Sequence, residues 1–94
     1  MSFFSVVAPE LTTGSALTTF NTGDALTLSC SVKDQGILQI VIFGPNIKAQ
    51  ISTDNPTYVN ITSLQTRDAG DYYCQGLYAD GITKNSTSLN ITGM

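Results

Sequence analysis

Asp68-Ala69-Gly70-Asp71-Tyr72-Tyr73-Cys74 reads as a tight corner followed by a β-strand. Asp-x-Gly turns the chain. Tyr72 sits two residues before Cys74, and strand side chains repeat every second residue, so the two point the same way. A tyrosine in that place can return its hydroxyl to the main chain upstream and pin the corner. The cysteine can then reach across to a second sheet.

This stretch resembles the E–F corner and F strand of an immunoglobulin-superfamily domain of the variable-like (V-set-like) kind. The resemblance continues backwards through Tyr58-Val59-Asn60-Ile61-Thr62-Ser63-Leu64, similar to the family's strand E. It also takes in Gly23-Asp24-Ala25-Leu26-Thr27-Leu28-Ser29-Cys30, similar to strand B. About a third of the chain matches closely, and the remainder follows the family's order of strands. The resemblance implies an all-β, two-sheet Greek-key sandwich with a Cys30–Cys74 bridge. It also implies a tyrosine corner built from Asp68, Gly70 and Tyr72. The competing reading of the cysteines is a pair of buried free thiols in a reducing compartment. A bridge would close a loop of 44 positions, worth about 4 kcal/mol by chain entropy.

Ninety-four residues with a net charge of −3 make one domain over 1–94. Charged residues are sparse, while serine and threonine are abundant, as suits strands with polar outer faces. Four basic residues, Lys33, Lys48, Arg67 and Lys84, make no phosphate-tracking stripe, so no nucleic acid is expected. Two cysteines without histidine do not make a zinc site, and no metal or cofactor is expected. Without histidine there is no ordinary neutral-pH base, and the carboxylates fall mostly in turns, so the chain is not expected to be an enzyme. The run Phe3–Ala8 is too short for a secretory core or a membrane span. The chain is expected to be an excised extracellular domain whose membrane anchor lies outside it.

Residues Phe3–Ala8 are predicted as a first strand ended by Pro9, Leu11–Gly14 as a kink, and Ser15–Phe20 as a resumed strand on the other sheet. Asn21–Asp24 is a turn. From Leu26 the pattern alternates, with Leu26, Leu28, Cys30 and Val32 on one side. After a short loop, Lys33–Gly36, the run Ile37–Phe43 is a strand. Here the family's core tryptophan is missing, and Ile40 takes its place, with Leu38, Ile40 and Ile42 inward. Ile47–Ile51 is the next strand. Only Ser52–Pro56 separates it from a strand beginning at Thr57, too little for the two strands of a full variable domain. The corner aspartate lacks its usual arginine, for which Lys48 is the expected substitute. The strand after the corner runs to about Ala79 with Tyr72, Cys74 and Gly76 inward. Asp80-Gly81 signals a two-residue type I′ hairpin. Ile82–Thr92 is the last strand, with Leu89 and Ile91 inward and no Gly-x-Gly bulge, which argues against antibody-like pairing.

Alternation then collects Gln39, Val41 and Phe43 with Tyr73, Gln75 and Leu77 on one outer face, with Tyr78 and Ile82 at its hairpin end. An uncharged, aromatic-containing face of this kind is a candidate binding surface, against the alternative of scattered surface hydrophobics. Asn60, Asn85 and Asn90 head N-glycosylation sequons; Asn55-Pro56-Thr57 is excluded by its proline. A glycan at Asn60 would shield the opposite sheet and leave this face open.

The missing tryptophan, the shortened middle and the Asp-Ala-Gly-Asp-Tyr-Tyr-Cys motif resemble the membrane-distal domains of hydroid (cnidarian) allorecognition receptors. That resemblance implies cell-surface, homophilic recognition between copies on opposing cells. The alternatives are an immune-type receptor domain that grips a foreign ligand with its loops, and a structural spacer in an adhesion protein.

Overall fold

The computed structural model describes residues 7–14, 19–33, 36–49 and 51–93. Among the described residues, eight strands form two antiparallel sheets. The first sheet holds β1 (Glu10–Thr12), β2 (Leu26–Ser31) and β5 (Thr57–Ile61), in that order. The second runs β4 (Ile51–Ser52), β3 (Ile37–Phe43), β6 (Gly70–Tyr78) and β7 (Thr83–Asn85), and β8 (Leu89–Ile91) also pairs with β6. The chain crosses between sheets after β2, β4 and β5. With the Cys30–Cys74 disulfide between the sheets, this is an immunoglobulin-like β-sandwich.

Period-two sequence produces the layers. Leu26, Leu28, Cys30 and Val32 are buried on β2 and just beyond it, facing Ile40 and Ile42 on β3 and Tyr72 and Cys74 on β6. Leu64 and Ile91 close the ends. Ile40, in the place expected of a tryptophan, is buried and lies opposite Gly76, two residues past Cys74. Among the described residues, the aromatic rings sealed in the core, Tyr72 and Tyr78, belong to β6.

Several boundaries differ from the sequence reading. The strand that pairs with β2 follows Pro9 rather than preceding it, and Leu11, expected in a kink, is a core residue opposite Cys30. Residues 3–6 and 15–18 lie outside the described residues, while Thr19 makes a parallel bridge to Thr92 in the other sheet. On β3 the ladder to β6 shifts between Ile37 and Gln39. The extra residue, Leu38, is unopposed and 51% exposed, and Ile37 takes the inward position instead. A bulge thus defeats alternation at that end. The strand expected over Ile47–Ile51 shrinks to Ile51–Ser52, and no strand is assigned between it and β5 among the described residues.

The hairpin after β6 is not type I′, which needs positive φ at both central residues. No described non-glycine residue has positive φ. Instead Gly81 N–H donates to Tyr78 C=O, Gly81 alone is left-handed (φ 86°), and Tyr78 pairs with Ile82 around a three-residue loop.

The last strand is broken in two. β7 pairs with β6 in one register, Gln75 opposite Asn85, and β8 in another shifted by one residue, Tyr72 opposite Leu89. A bulge does exist here, built without glycine. Ser86 N–H donates to Cys74 C=O, and the Ser86 hydroxyl, not its carbonyl, accepts from Cys74 N–H at 2.9 Å. That hydroxyl donates onward to Thr87 C=O.

Candidate binding face

The corner sets the phase of β6. Thr66–Asp68 forms a single 3-10 turn. Asp68 is buried, and its carboxylate accepts from Gln65 N–H at 2.8 Å and from Asn46 Nδ2 at 3.2 Å. Asn46, rather than Lys48, is therefore the side chain that reaches the corner aspartate; Lys48 is exposed. Tyr72 donates its hydroxyl to Asp68 C=O. Burial, and then the Asp68 charge, push the Tyr72 phenol above its ordinary pKa. Gly70 is at φ 140°, and a Cβ there would stand 2.7 Å from Pro45 Cγ, so the turn after β3 packs directly on the corner.

With Tyr72 and Cys74 held inward, Tyr73, Gln75 and Leu77 must face out. Each meets an outward residue of β3: Phe43 opposite Tyr73, Val41 opposite Gln75 and Gln39 opposite Leu77. The Phe43 and Tyr73 rings stack with centroids 4.9 Å apart and planes 19° from parallel. Offset stacking of this kind stabilises beyond burial alone. Phe43, Val41, Tyr73 and Leu77 are all half-buried by their neighbours. Ile51, opposite Val41 on β4, extends the row and is 68% exposed. Alternation does not reveal it, because the edge strand begins later than its sequence suggests, and only the pairing with Val41 shows its side. Thr83 and Asn85 complete the face on β7. Asp71, bonded by Asn90 Nδ2 at 2.7 Å, marks one end, and the middle carries no charge.

Tyr78 does not belong to this face. It is 2% exposed, and its hydroxyl donates to Val7 C=O. Alternation on β6 runs unbroken through Gly76 to Tyr78, which places the ring inside with Ile37 opposite. Ile82 is exposed beside the hairpin loop.

The three sequons fall on both sheets. Asn60 lies on the other sheet, where its Oδ1 accepts from the Thr27 hydroxyl. Asn85, however, faces out beside Gln75, whose Nε2 donates to it at 3.0 Å, and Asn90 faces out beside Asp71. Two of the three acceptor positions stand on the candidate face.

No His/Cys/Asp/Glu cluster of metal-binding size occurs among the described residues, and no described helix is long and apolar enough to cross a membrane. No family model matches the chain, and no curated protein matches it significantly.

Proposed function

We propose that this is a variable-like extracellular recognition domain that binds another copy of itself, in trans, through the outer face of β4, β3, β6 and β7. The observation that carries the reading is the uncharged row joining Ile51, Val41, the stacked Phe43–Tyr73 pair and Leu77 on one sheet face. Aromatic anchors with no central charge are the composition of an interface core. A face with no charge at its centre can meet its own copy there without repulsion. The disulfide fits an oxidising, extracellular setting. The parent chain is then a membrane-anchored receptor, and the resemblance to hydroid allorecognition receptors supplies the biological setting: self/non-self discrimination between touching cells. Loop-based capture of a foreign ligand is less well served, because the loop after β6 is only three residues long.

The test is charge insertion. Phe43→Asp, which loses the stack on Tyr73, lowers the melting temperature by some degrees but stays folded, and Leu77→Lys shifts it less, since both side chains face away from the core. Each abolishes aggregation of beads coated with the domain, because an unpaired charge becomes buried at the contact. Thr27→Asn, which creates a sequon on the opposite sheet, leaves aggregation intact. Normal aggregation by a folded Phe43→Asp domain places the binding face elsewhere.

A further inference from the structure

β5 stands at the edge of its sheet. The β2–β5 ladder sets Leu26 opposite Ile61 and Cys30 opposite Thr57. One step further, the Asn55 side chain bonds both Val32 N–H and Val32 C=O, so the main-chain groups of Val32 point toward the line of β5. Main-chain groups alternate in direction along a strand. Leu26, Leu28 and Cys30 therefore also point at β5 and engage Ile61, Val59 and Thr57. Tyr58 and Asn60 send their N–H and C=O groups to the opposite edge. Among the described residues no strand pairs with that edge, since β5 ends its sheet.

Beside this edge, the four residues between β4 and β5 leave the sandwich open. A groove of about 600 Å³ lies there, with Ile42, Ile47, Val59 and Thr57 on its apolar side and Lys48 and Asp54, of opposite charge, also lining it. Unpaired edges are commonly blunted by charge, and β5 carries none: its sequence is Thr-Tyr-Val-Asn-Ile, with Tyr58 63% exposed.

We infer that β5 pairs antiparallel with β5 of a second copy lying alongside. The edge is self-complementary. A two-fold axis through Val59 sets Tyr58 of each copy opposite Asn60 of the other. These are the residues whose main-chain groups face outward, so each pair exchanges both bonds. Absence of charge on β5 lets the strand meet itself, and the main chain of the second β5 takes the missing-strand position beside the groove. The stacked Phe43–Tyr73 face lies on the other sheet and stays free, so lateral pairing doubles the valency of each surface cluster.

The experiment uses the unglycosylated domain carrying Phe43→Asp, which removes association through the other face. Amide exchange at Tyr58 and Asn60 is followed by NMR from about 10 µM to about 1 mM, a range suited to weak contacts, with sedimentation in parallel. The expected result is a dimer at high concentration, with exchange at these two amides slowing several-fold as it forms. Tyr58→Pro removes one edge N–H outside the β2–β5 ladder, so it stays folded and monomeric. Four results overturn the inference. Fast exchange with a monomer throughout leaves the edge to a different protein's strand. Slow exchange independent of concentration means this chain's own flanking segment covers the edge. A dimer with both amides still fast uses another surface, as does a Tyr58→Pro domain that still dimerises. If Tyr58→Pro fails to fold, exchange in the domain with native β5 decides alone.

Discussion

The side chain of Asn55 brackets the main chain of Val32, with Nδ2 donating to its C=O at 2.7 Å and Oδ1 accepting from its N–H at 3.0 Å. A side-chain amide carries one donor and one acceptor in the geometry of a peptide group. Asn55 thereby extends the β2–β5 ladder one rung beyond Cys30–Thr57, its side chain standing in for a main-chain partner of Val32. Asn55→Ala should cost about 1–2 kcal/mol, the ordinary worth of two such bonds. Asn55→Asp should cost at least as much, since a carboxylate cannot donate to Val32 C=O. Urea denaturation measures both, and an unchanged midpoint for Asn55→Ala would show the bracket to be idle.

Tyr72→Phe keeps the ring in the core and removes the donor to Asp68 C=O, at about 1 kcal/mol near neutral pH. The pH dependence has a definite sign. The folded phenol is raised above its ordinary value by burial and by Asp68, so the unfolded chain loses this proton first. Tyr72 thus contributes its full stability below about pH 10, the ordinary phenol value, and loses it as pH climbs toward the raised one. The wild-type advantage over Tyr72→Phe should shrink between neutral pH and about pH 11. A gap that stays constant over that range contradicts the buried corner bond.

Ser86→Ala leaves Cys74 N–H buried with no acceptor at the bulge, and the expected loss is about 1–3 kcal/mol. The sequon at Asn85 survives this change, because its middle position tolerates alanine. Any shift in the thermal midpoint therefore reports the hydroxyl and not a glycan.

Reduction of Cys30–Cys74 should lower stability by about 4 kcal/mol, the chain-entropy value for a bridge of this span. Intact mass under non-reducing conditions should be two hydrogens below that of the reduced chain. Two titratable thiols in the native domain would refute the bridge.

A sugar on Asn85 would stand next to Gln75 on the proposed contact face. Domain glycosylated at Asn85 should therefore aggregate beads less than Thr87→Val, which removes the sequon. Equal aggregation by the two would move the contact away from β7.

Local patterns made much of this molecule legible. Alternation from Leu26 to Val32 and from Tyr72 to Gly76 identifies the buried rows, because burial on one face selects apolar residues at period two. The corner motif marks where the sheets are joined. The outward set Gln39, Val41, Phe43, Tyr73, Gln75 and Leu77 follows from the same parity, and the structure brings all six to one face. Parity also requires Tyr78 to lie inside, although its place near the hairpin made it look like surface.

What failed were the places where pairing, not pattern, decides. A bulge adds one residue to one strand, and its cost or gain depends on the partner strand, which the local sequence does not contain. Leu38 faces solvent and Ser86 enters the ladder because of such shifts, and Ile51 joins the contact row because the edge strand pairs with β3 later in the chain than its sequence suggests. The same holds for polar side chains that stand in for main chain. Asn55 lies 23 residues from Val32, and Asn46 lies 22 residues from Asp68. The sequence by itself determined the inward rows, as local periodicities driven by burial, and through its resemblance to the immunoglobulin-superfamily pattern it implied the two-layer sandwich and its bridging cysteines. Only the tertiary structure decided which strand edge stays open, where the registers slip and which sequons share the contact face. Hydrogen-bond satisfaction across sheets is a long-range condition, and it is met by whichever distant group arrives in place.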